Sequence, residues 1–213
     1  RCAMTTISRI EWTEQTWNPT TGCTKISPGC KHCYAEGMAH RLQAMGALGY
    51  ATGFNLALHP GRLEQPLRRK KPTTYFVNSM SDLFHEAIPD EFLDRVFAVI
   101  QQTPQHTYQI LTKRADRLPR YFADRPCPAH VWLGVSVEDR QYGLPRIAHL
   151  RQVNAHIRFL SVEPLLEDLG EFDLTGIHWV IVGGESGPKA RPMHESWVTR
   201  VKEQADTAGV AFF

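Results

Sequence analysis

The sequence contains no apolar run near the roughly 18 residues that a membrane-spanning helix needs. Its first residues, Arg1-Cys2-Ala3-Met4-Thr5-Thr6, have no apolar signal core. No membrane partner is expected, and the reading is cytoplasmic. Charge of one sign is not in excess. Lys and Arg number 24 against 22 Asp and Glu, a net charge of +2. That balance neither demands nucleic acid nor excludes it, because a local patch can still bind phosphates. No Gly- or Ser-rich linker divides the chain, and no low-complexity segment interrupts it. One domain is therefore expected over residues 4–213, starting at Met4, with residues 1–3 outside it. Cysteine is scarce, at five among 213 residues. In a cytoplasmic chain these are better candidates for metal or redox chemistry than for structural bridges. At 42% hydrophobic and 22% charged residues, the composition excludes disorder and fibrous repeats. A chain of this length buries a substantial core without disulfides.

What is present is an alternation. Short apolar, β-branched or aromatic runs fall at 75–77, 108–111, 131–137, 157–162, 179–182 and 210–213. Continuous apolar runs of this kind suit parallel strands covered on both faces. A further short strand is expected at 10–16. Helical spacing lies between several of the runs. Asp90 is placed to cap a helix carrying Phe92, Leu93, Val96, Phe97 and Ile100. Weaker patterns cover 114–123 and 139–151, each interrupted by a proline. A clearer one covers 195–208, with Gly209 placed to end it. A helix over 34–45 follows the cysteine segment. Six or seven βα units result, too few for a full eight-unit barrel. The predicted fold is α/β with parallel strands, as a partial (β/α)6-type barrel or an open sheet.

In such folds the working residues follow the strand C-termini. Polar groups stand at those places: Asn78, Ser79 and Asp82; Lys113 and Arg114; Ser136 and Glu138; Ser161 and Glu163; then Gly183, Gly184 and Glu185. Loops are polar in any protein, so the set persuades more than its members. Gly183-Gly184 permits a tight turn or close backbone approach, but lacks the full dinucleotide or P-loop pattern.

Three of the five cysteines, Cys23, Cys30 and Cys33, share one eleven-residue segment. Three thiols so close, in a loop entering a helix, suggest a soft-metal site. Inert buried thiols are disfavoured, since a loop with Lys, Pro and Gly is poor core material. Zinc would require a fourth ligand, for which His32 and His40 are candidates. The other option is a [4Fe–4S] cluster with one iron free of protein.

Three cysteines ending in Cys-x-aromatic-Cys, with His32 in the aromatic position, resemble the radical S-adenosylmethionine superfamily. That superfamily's usual gaps are three residues then two; here they are six then two. Trp17-Asn18-Pro19-Thr20-Thr21-Gly22-Cys23, Cys30-Lys31-His32-Cys33-Tyr34-Ala35-Glu36, Asn78-Ser79-Met80-Ser81-Asp82-Leu83-Phe84, Leu111-Thr112-Lys113-Arg114, Ser161-Val162-Glu163-Pro164 and Gly183-Gly184-Glu185-Ser186-Gly187 together resemble a phage-protein, three-cysteine-motif family of phages and bacteria.

The resemblance implies a radical SAM-like partial barrel. It implies a [4Fe–4S] cluster on Cys23, Cys30 and Cys33, with S-adenosyl-L-methionine chelating the fourth iron. An external electron donor would drive reductive cleavage of the cofactor to a 5′-deoxyadenosyl radical that attacks a substrate. The protein's task is then to bind, orient and shield. It implies cofactor binding by Asn78, Ser79 and Asp82, with Ser136, Glu138 and Glu163 toward ribose or substrate. Gly183 and Gly184 would allow close approach, and His32 lies beside the cluster. Lys113 and Arg114 could hold a carboxylate or phosphate. The superfamily's Gly-Gly-Glu follows the second strand, so its role does not transfer to Glu185.

The phage association and the basic run Arg68-Arg69-Lys70-Lys71 point to nucleic acid or a nucleotide as substrate, although such a run is more often a solvated turn. Trp12 and Trp17 are core candidates before they are base-stacking ones. Two other readings stand beside this one: a non-enzymatic zinc- or cluster-binding module for a partner, and a hydrolase using Glu138 or Glu163.

Overall fold

A computed structural model describes residues 10–213. Cys2 and the expected start at Met4 lie outside them. The elements, in chain order, are β1 (Gln15–Trp17), β2 (Thr20–Thr21), α1 (Tyr34–Ala44), β3 (Ala57–Leu58), β4 (Thr74–Val77), α2 (Asp90–Gln101), β5 (Thr107–Thr112), α3 (Arg117–Tyr121), β6 (Val131–Ser136), α4 (Leu144–Arg151), β7 (Ile157–Val162), β8 (Trp179–Val182), α5 (Glu195–Ala208) and β9 (Ala211–Phe212). The main sheet has seven strands in the order β1-β4-β5-β6-β7-β8-β9. Strand neighbours therefore follow chain order, as sequential βα units do when consecutive elements lie side by side. No helix among the described residues is long and apolar enough to cross a membrane.

The chain divides into two compact units. Among the described residues, the first comprises 10–24, Ala35–Ile110 and Pro128–Trp132; the second comprises Lys25–Tyr34, Leu111–Cys127 and Leu133–Phe213.

In the first unit β1 pairs parallel with β4, and β4 with β5, so that Gln15, Tyr75 and Tyr108 share one register row. Tyr75 and Tyr108 stack at 5.6 Å, and Trp17 lies 5.7 Å from Tyr108. Trp17 is fully buried and donates its indole N–H to the Arg62 carbonyl at 2.9 Å. Trp12 packs edge-on against Phe76. Trp17 is core, as its default reading held, whereas Trp12 is half-buried. α2 buries Phe92, Leu93, Val96, Phe97 and Ile100, the face its periodicity set out. Asp90 is its first helical residue and Pro89 the cap, because Pro89 already has the extended backbone a cap needs. β1 starts later than the run at 10–16 because Thr13 N–H closes a turn on Ile10 O at 3.2 Å. The antiparallel pair β2–β3 has no sequence signal, being two residues long on each side. Arg68, Lys70 and Lys71 are exposed, as in a solvated turn.

In the second unit β7, β8 and β9 run parallel. Gly134 on β6 has no room for a side chain, since a Cβ there would lie 2.6 Å from the Phe159 ring. α4 begins five residues later than expected. The Asp139 carboxylate accepts the N–H groups of Tyr142 and Gly143, at 2.6 and 3.1 Å, and holds a turn in place of a helix start. α5 ends at Gly209, whose φ of 66° is the left-handed cap expected.

Candidate cofactor site in the cysteine loop

The first unit carries Cys23. Behind it, Gly22 has φ +80°, and a Cβ there would lie 2.1 Å from the Asn55 carbonyl oxygen, so only glycine fits. Gly22 N–H donates to Met80 O at 2.9 Å and Cys23 N–H to Phe54 O at 3.1 Å. The turn after β4 locks the same loop. Asn78 adopts φ 60°, a conformation asparagine tolerates better than most residues. Its amide donates to Thr20 Oγ1 at 2.8 Å. Asn18 Oδ1 accepts from Met80 N–H at 3.0 Å and from the Ser79 hydroxyl at 3.3 Å. Asp82 accepts Phe84 N–H at 3.0 Å. The side chains of Asn78 and Ser79, read from sequence as cofactor contacts, thus hold the Cys23 loop.

His85, 3% exposed, was not singled out in the sequence. Its Nδ1 accepts Ala87 N–H at 3.1 Å, so Nε2 carries the proton and donates to Thr24 Oγ1 at 3.0 Å. Thr24 is the residue after Cys23, whose thiol lies 3.5 Å from the Thr24 carbonyl.

The second unit carries Cys30, at the end of a 3₁₀ turn, and Cys33, just before α1. Carboxylates from two strand ends reach this loop. Glu138 is fully buried beyond β6. It accepts the Ser27 hydroxyl and two donors of Arg146, at 2.5 and 3.3 Å. Burial raises the Glu138 pKa. The charges of Lys113 and Arg146 and the hydrogen bonds from Arg146 and Ser27 outweigh that and hold it below the usual carboxylate value. Ser27 Oγ also lies 3.7 Å from Cys30 Sγ. Gly29 packs on the same carboxylate; a Cβ there would sit 3.0 Å from Glu138 Cγ and Oε1. Glu138 Oε1 thus seats the Cys30 loop through Ser27, while Oε2 is held by Arg146. A ribose contact by Glu138, as read from sequence, would have to share those oxygens. Ser136, 1% exposed, contributes its carbonyl to Arg146 at 2.8 Å.

Glu185, beyond β8, accepts His32 Nδ1–H at 2.9 Å and is gripped by the Arg191 side chain. Hydrogen bonds from Arg191 pull its pKa down to about 2, with His32 adding to the effect. The sequence left Glu185 without a role, and Arg146 and Arg191 carried no motif. A carboxylate placed beside a loop of free thiols was the available signal.

Glu163, beyond β7, differs. Among the described residues no group hydrogen-bonds its carboxylate. Burial raises its pKa, with Lys113 partly offsetting. Gly183 lies against it, where a Cβ would come within 2.9 Å of the carboxyl carbon and push that side chain aside. Gly184 is not under that constraint, since its Cβ would meet Met193 at an ordinary 3.7 Å.

Cys23, Cys30 and Cys33 are half-buried, and among the described residues none is in a disulfide. Reduced, accessible thiols suit a soft metal or an iron–sulfur cluster. Among the described residues, however, no three His, Cys, Asp or Glu side chains are gathered as a metal site.

The sequence matches, over residues 7–213, a family described as protein of unknown function (DUF5131). No curated protein matches it. Among solved structures it is similar to spore photoproduct lyase, a radical S-adenosylmethionine enzyme. A cysteine-to-alanine mutant of that enzyme gives a TM-score of 0.57 at 13% identity, over 98% of this chain and 78% of that one. A cysteine-to-serine mutant gives 0.53 at 14% identity, over 97% and 64%. A cysteine-to-alanine mutant with dinucleoside spore photoproduct gives 0.53 at 13%, over 95% and 63%. The chain thus spans just under two thirds of the length of two of the three. At these identities the likeness is one of fold, the parallel α/β partial barrel that the strand pattern predicts. By a match that covers nearly all of its length, the chain belongs to the DUF5131 family of proteins of unknown function.

Proposed function

We propose that this protein is a radical S-adenosylmethionine enzyme, with Cys23, Cys30 and Cys33 as ligands of a [4Fe–4S] cluster and an external protein or reagent as electron donor. The observation that carries the reading is the three-thiol loop on a fold similar to that of spore photoproduct lyase. When bound, the cluster supplies the electron that splits the carbon–sulfur bond of S-adenosyl-L-methionine. The chain's own residues bind and orient. Asn18, Asn78, Ser79 and His85 hold the Cys23 loop; Glu138 and Glu185 hold the loop of Cys30 and Cys33. Glu163 keeps an unused carboxylate at a strand end, with its pKa raised by burial. It is the residue assigned to hydroxyls of the cofactor ribose or of the substrate, with Gly183 giving it room. Asp82 and Gly184 stay candidates for cofactor contact. Nucleic acid or a nucleotide is the substrate class to try first, since one of the similar structures is a complex with dinucleoside spore photoproduct.

Anaerobic reconstitution with iron and sulfide, followed by electron paramagnetic resonance of the reduced protein, tests the reading. A [4Fe–4S] signal that changes on adding S-adenosyl-L-methionine and disappears in Cys30→Ala supports it. Formation of 5′-deoxyadenosine on adding DNA or RNA would then identify the substrate class.

One observation favours a second reading, a zinc module. A metal-bound histidine usually donates its other ring N–H to a carboxylate, and His32 donates Nδ1–H to Glu185. Stoichiometric zinc, lost in His32→Ala, with no cluster formed, would establish that reading and sink the first.

A further inference from the structure

The loop after β8 grips the cysteine loop in a way that no binding role explains. Glu185 Oε2 accepts three donors: Arg191 backbone N–H at 2.9 Å, Arg191 Nε at 3.0 Å and His32 Nδ1 at 2.9 Å. Oε1 accepts Arg191 Nη2 at 2.5 Å. The same Nη2 donates to the Pro28 carbonyl at 2.9 Å. Arg191 therefore holds the residue two before Cys30 directly. Through Glu185 it also holds the residue before Cys33. The Glu185 side chain is only 3% exposed, which strengthens each charge-assisted bond. Two thiols separated by two residues form a disulfide readily when their loop is free to move. Both are free thiols here.

We propose that the Glu185–Arg191 pair is a latch that positions Cys30 and Cys33, acting through His32 and the Pro28 carbonyl, and keeps the two thiols available to metal instead of to each other. The proposal rests on the reading of these cysteines as metal ligands. Glu185 and Arg191 are positioning residues: they touch the loop, and the loop carries the ligands. The latch adds to the contact of Glu138 with Ser27 and Gly29, which seats the loop on its other side chain neighbours.

The test uses the full metal-free chain with the oxidant diamide, which takes two electrons and two protons as the Cys30–Cys33 bond forms. Disulfide is trapped by alkylation and counted by mass spectrometry. Glu185→Gln and Arg191→Met should oxidise about tenfold faster than the parent chain, the change expected from losing a charge-assisted hydrogen bond. Arg191→Lys, which keeps the charge, should fall between. Arg200→Met, which breaks the Asp168 ion pair at 2.7 Å elsewhere in the same unit, should oxidise like the parent. After reconstitution with iron and sulfide, the latch variants should also shift the cluster's midpoint potential, and Arg200→Met should not. Equal oxidation rates in all variants, with only melting temperatures lowered, would overturn the latch. If the strongest variants fail to fold, the Arg191→Lys rate still decides it. If the parent chain takes zinc and no cluster, the enzymatic reading fails, while the diamide rates still judge the latch.

Discussion

The two ends of the cysteine motif are held by different chemistry. In the first unit the Cys23 loop hangs mainly on hydrogen bonds between uncharged groups, Asn78 to Thr20, His85 to Thr24, and backbone bonds to Met80 and Phe54, with one long contact from Thr24 to the Glu86 carboxylate at 3.5 Å. In the second unit the Cys30 and Cys33 loop hangs on ion pairs, Glu138 with Arg146 and Glu185 with Arg191. Neutral contacts respond little to pH and salt, whereas charged ones respond to both. The first half of the motif should therefore depend less on salt than the second. The contrast also appears within the second unit. Glu138 is surrounded by donors and its pKa is lowered; Glu163 accepts no hydrogen bond among the described residues, and burial raises its pKa against the charge of Lys113.

Glu138→Ala should do the most damage. It leaves Arg146, 6% exposed, as a buried charge without its partner. The cost should be about 3–5 kcal/mol, a fall in Tm of roughly 10 °C for a chain this size. Thermal unfolding followed by circular dichroism measures it; a loss under a few degrees would mean that Arg146 finds another acceptor.

His85→Ala tests the neutral half. It leaves Ala87 N–H and the Thr24 hydroxyl without their histidine partner, at a cost of about 1–3 kcal/mol. That loss should depend less on salt than the loss in Arg191→Met. A strong salt dependence in His85→Ala would break the comparison.

Gly29→Ala should cost about 1–2 kcal/mol, because a methyl group must push the loop off the Glu138 carboxylate. Alkylation of Cys30 should accelerate with it. Gly184→Ala, which meets Met193 at ordinary contact distance, should change stability by less than about 0.5 kcal/mol. The two glycines thus measure close packing against mere presence near the site.

Acid titration sharpens the contrast between the two glutamates. The lowered pKa of Glu138 makes its contribution full above the ordinary value of 4.5 and lost as pH falls below it. The raised pKa of Glu163 has the opposite sign. Its contribution is present below 4.5 and lost as pH rises through the folded-state value. Glu163→Gln should therefore leave stability unchanged in acid and equal or improve it at neutral pH. A clear loss at neutral pH would mean that the charge of Lys113 outweighs burial at Glu163.

Much of the fold was legible. The strands at 157–162 and 179–182, the helix at 195–208 and its Gly209 cap stand where apolar runs and helical spacing placed them. The core face of α2 was readable from one periodicity. Starts of elements were less so. Asp139 and Thr13 close local turns whose strength the pattern of apolar residues does not express. In the site, the three cysteines and the strand-end carboxylates were visible, because free thiols and buried charges are unusual in such places. What each carboxylate does was not. Glu138 read as a ribose contact and Glu185 as a residue without a role, yet both carry the cysteine loop. Arg146 and Arg191 belong to no motif, since an arginine on a helix or in an exposed loop looks the same whether or not it has a partner.

By itself the sequence determined the class of fold and the donor chemistry. Periodicity and residue type are local properties, and hydrophobic burial and thiol softness act on them directly. Only the tertiary structure decided which carboxylates are spent and which stay free. Glu138 and Glu163 follow successive strands with the same apolar prelude. Whether an arginine, a hydroxyl and a glycine meet the carboxylate depends on residues far away in the chain.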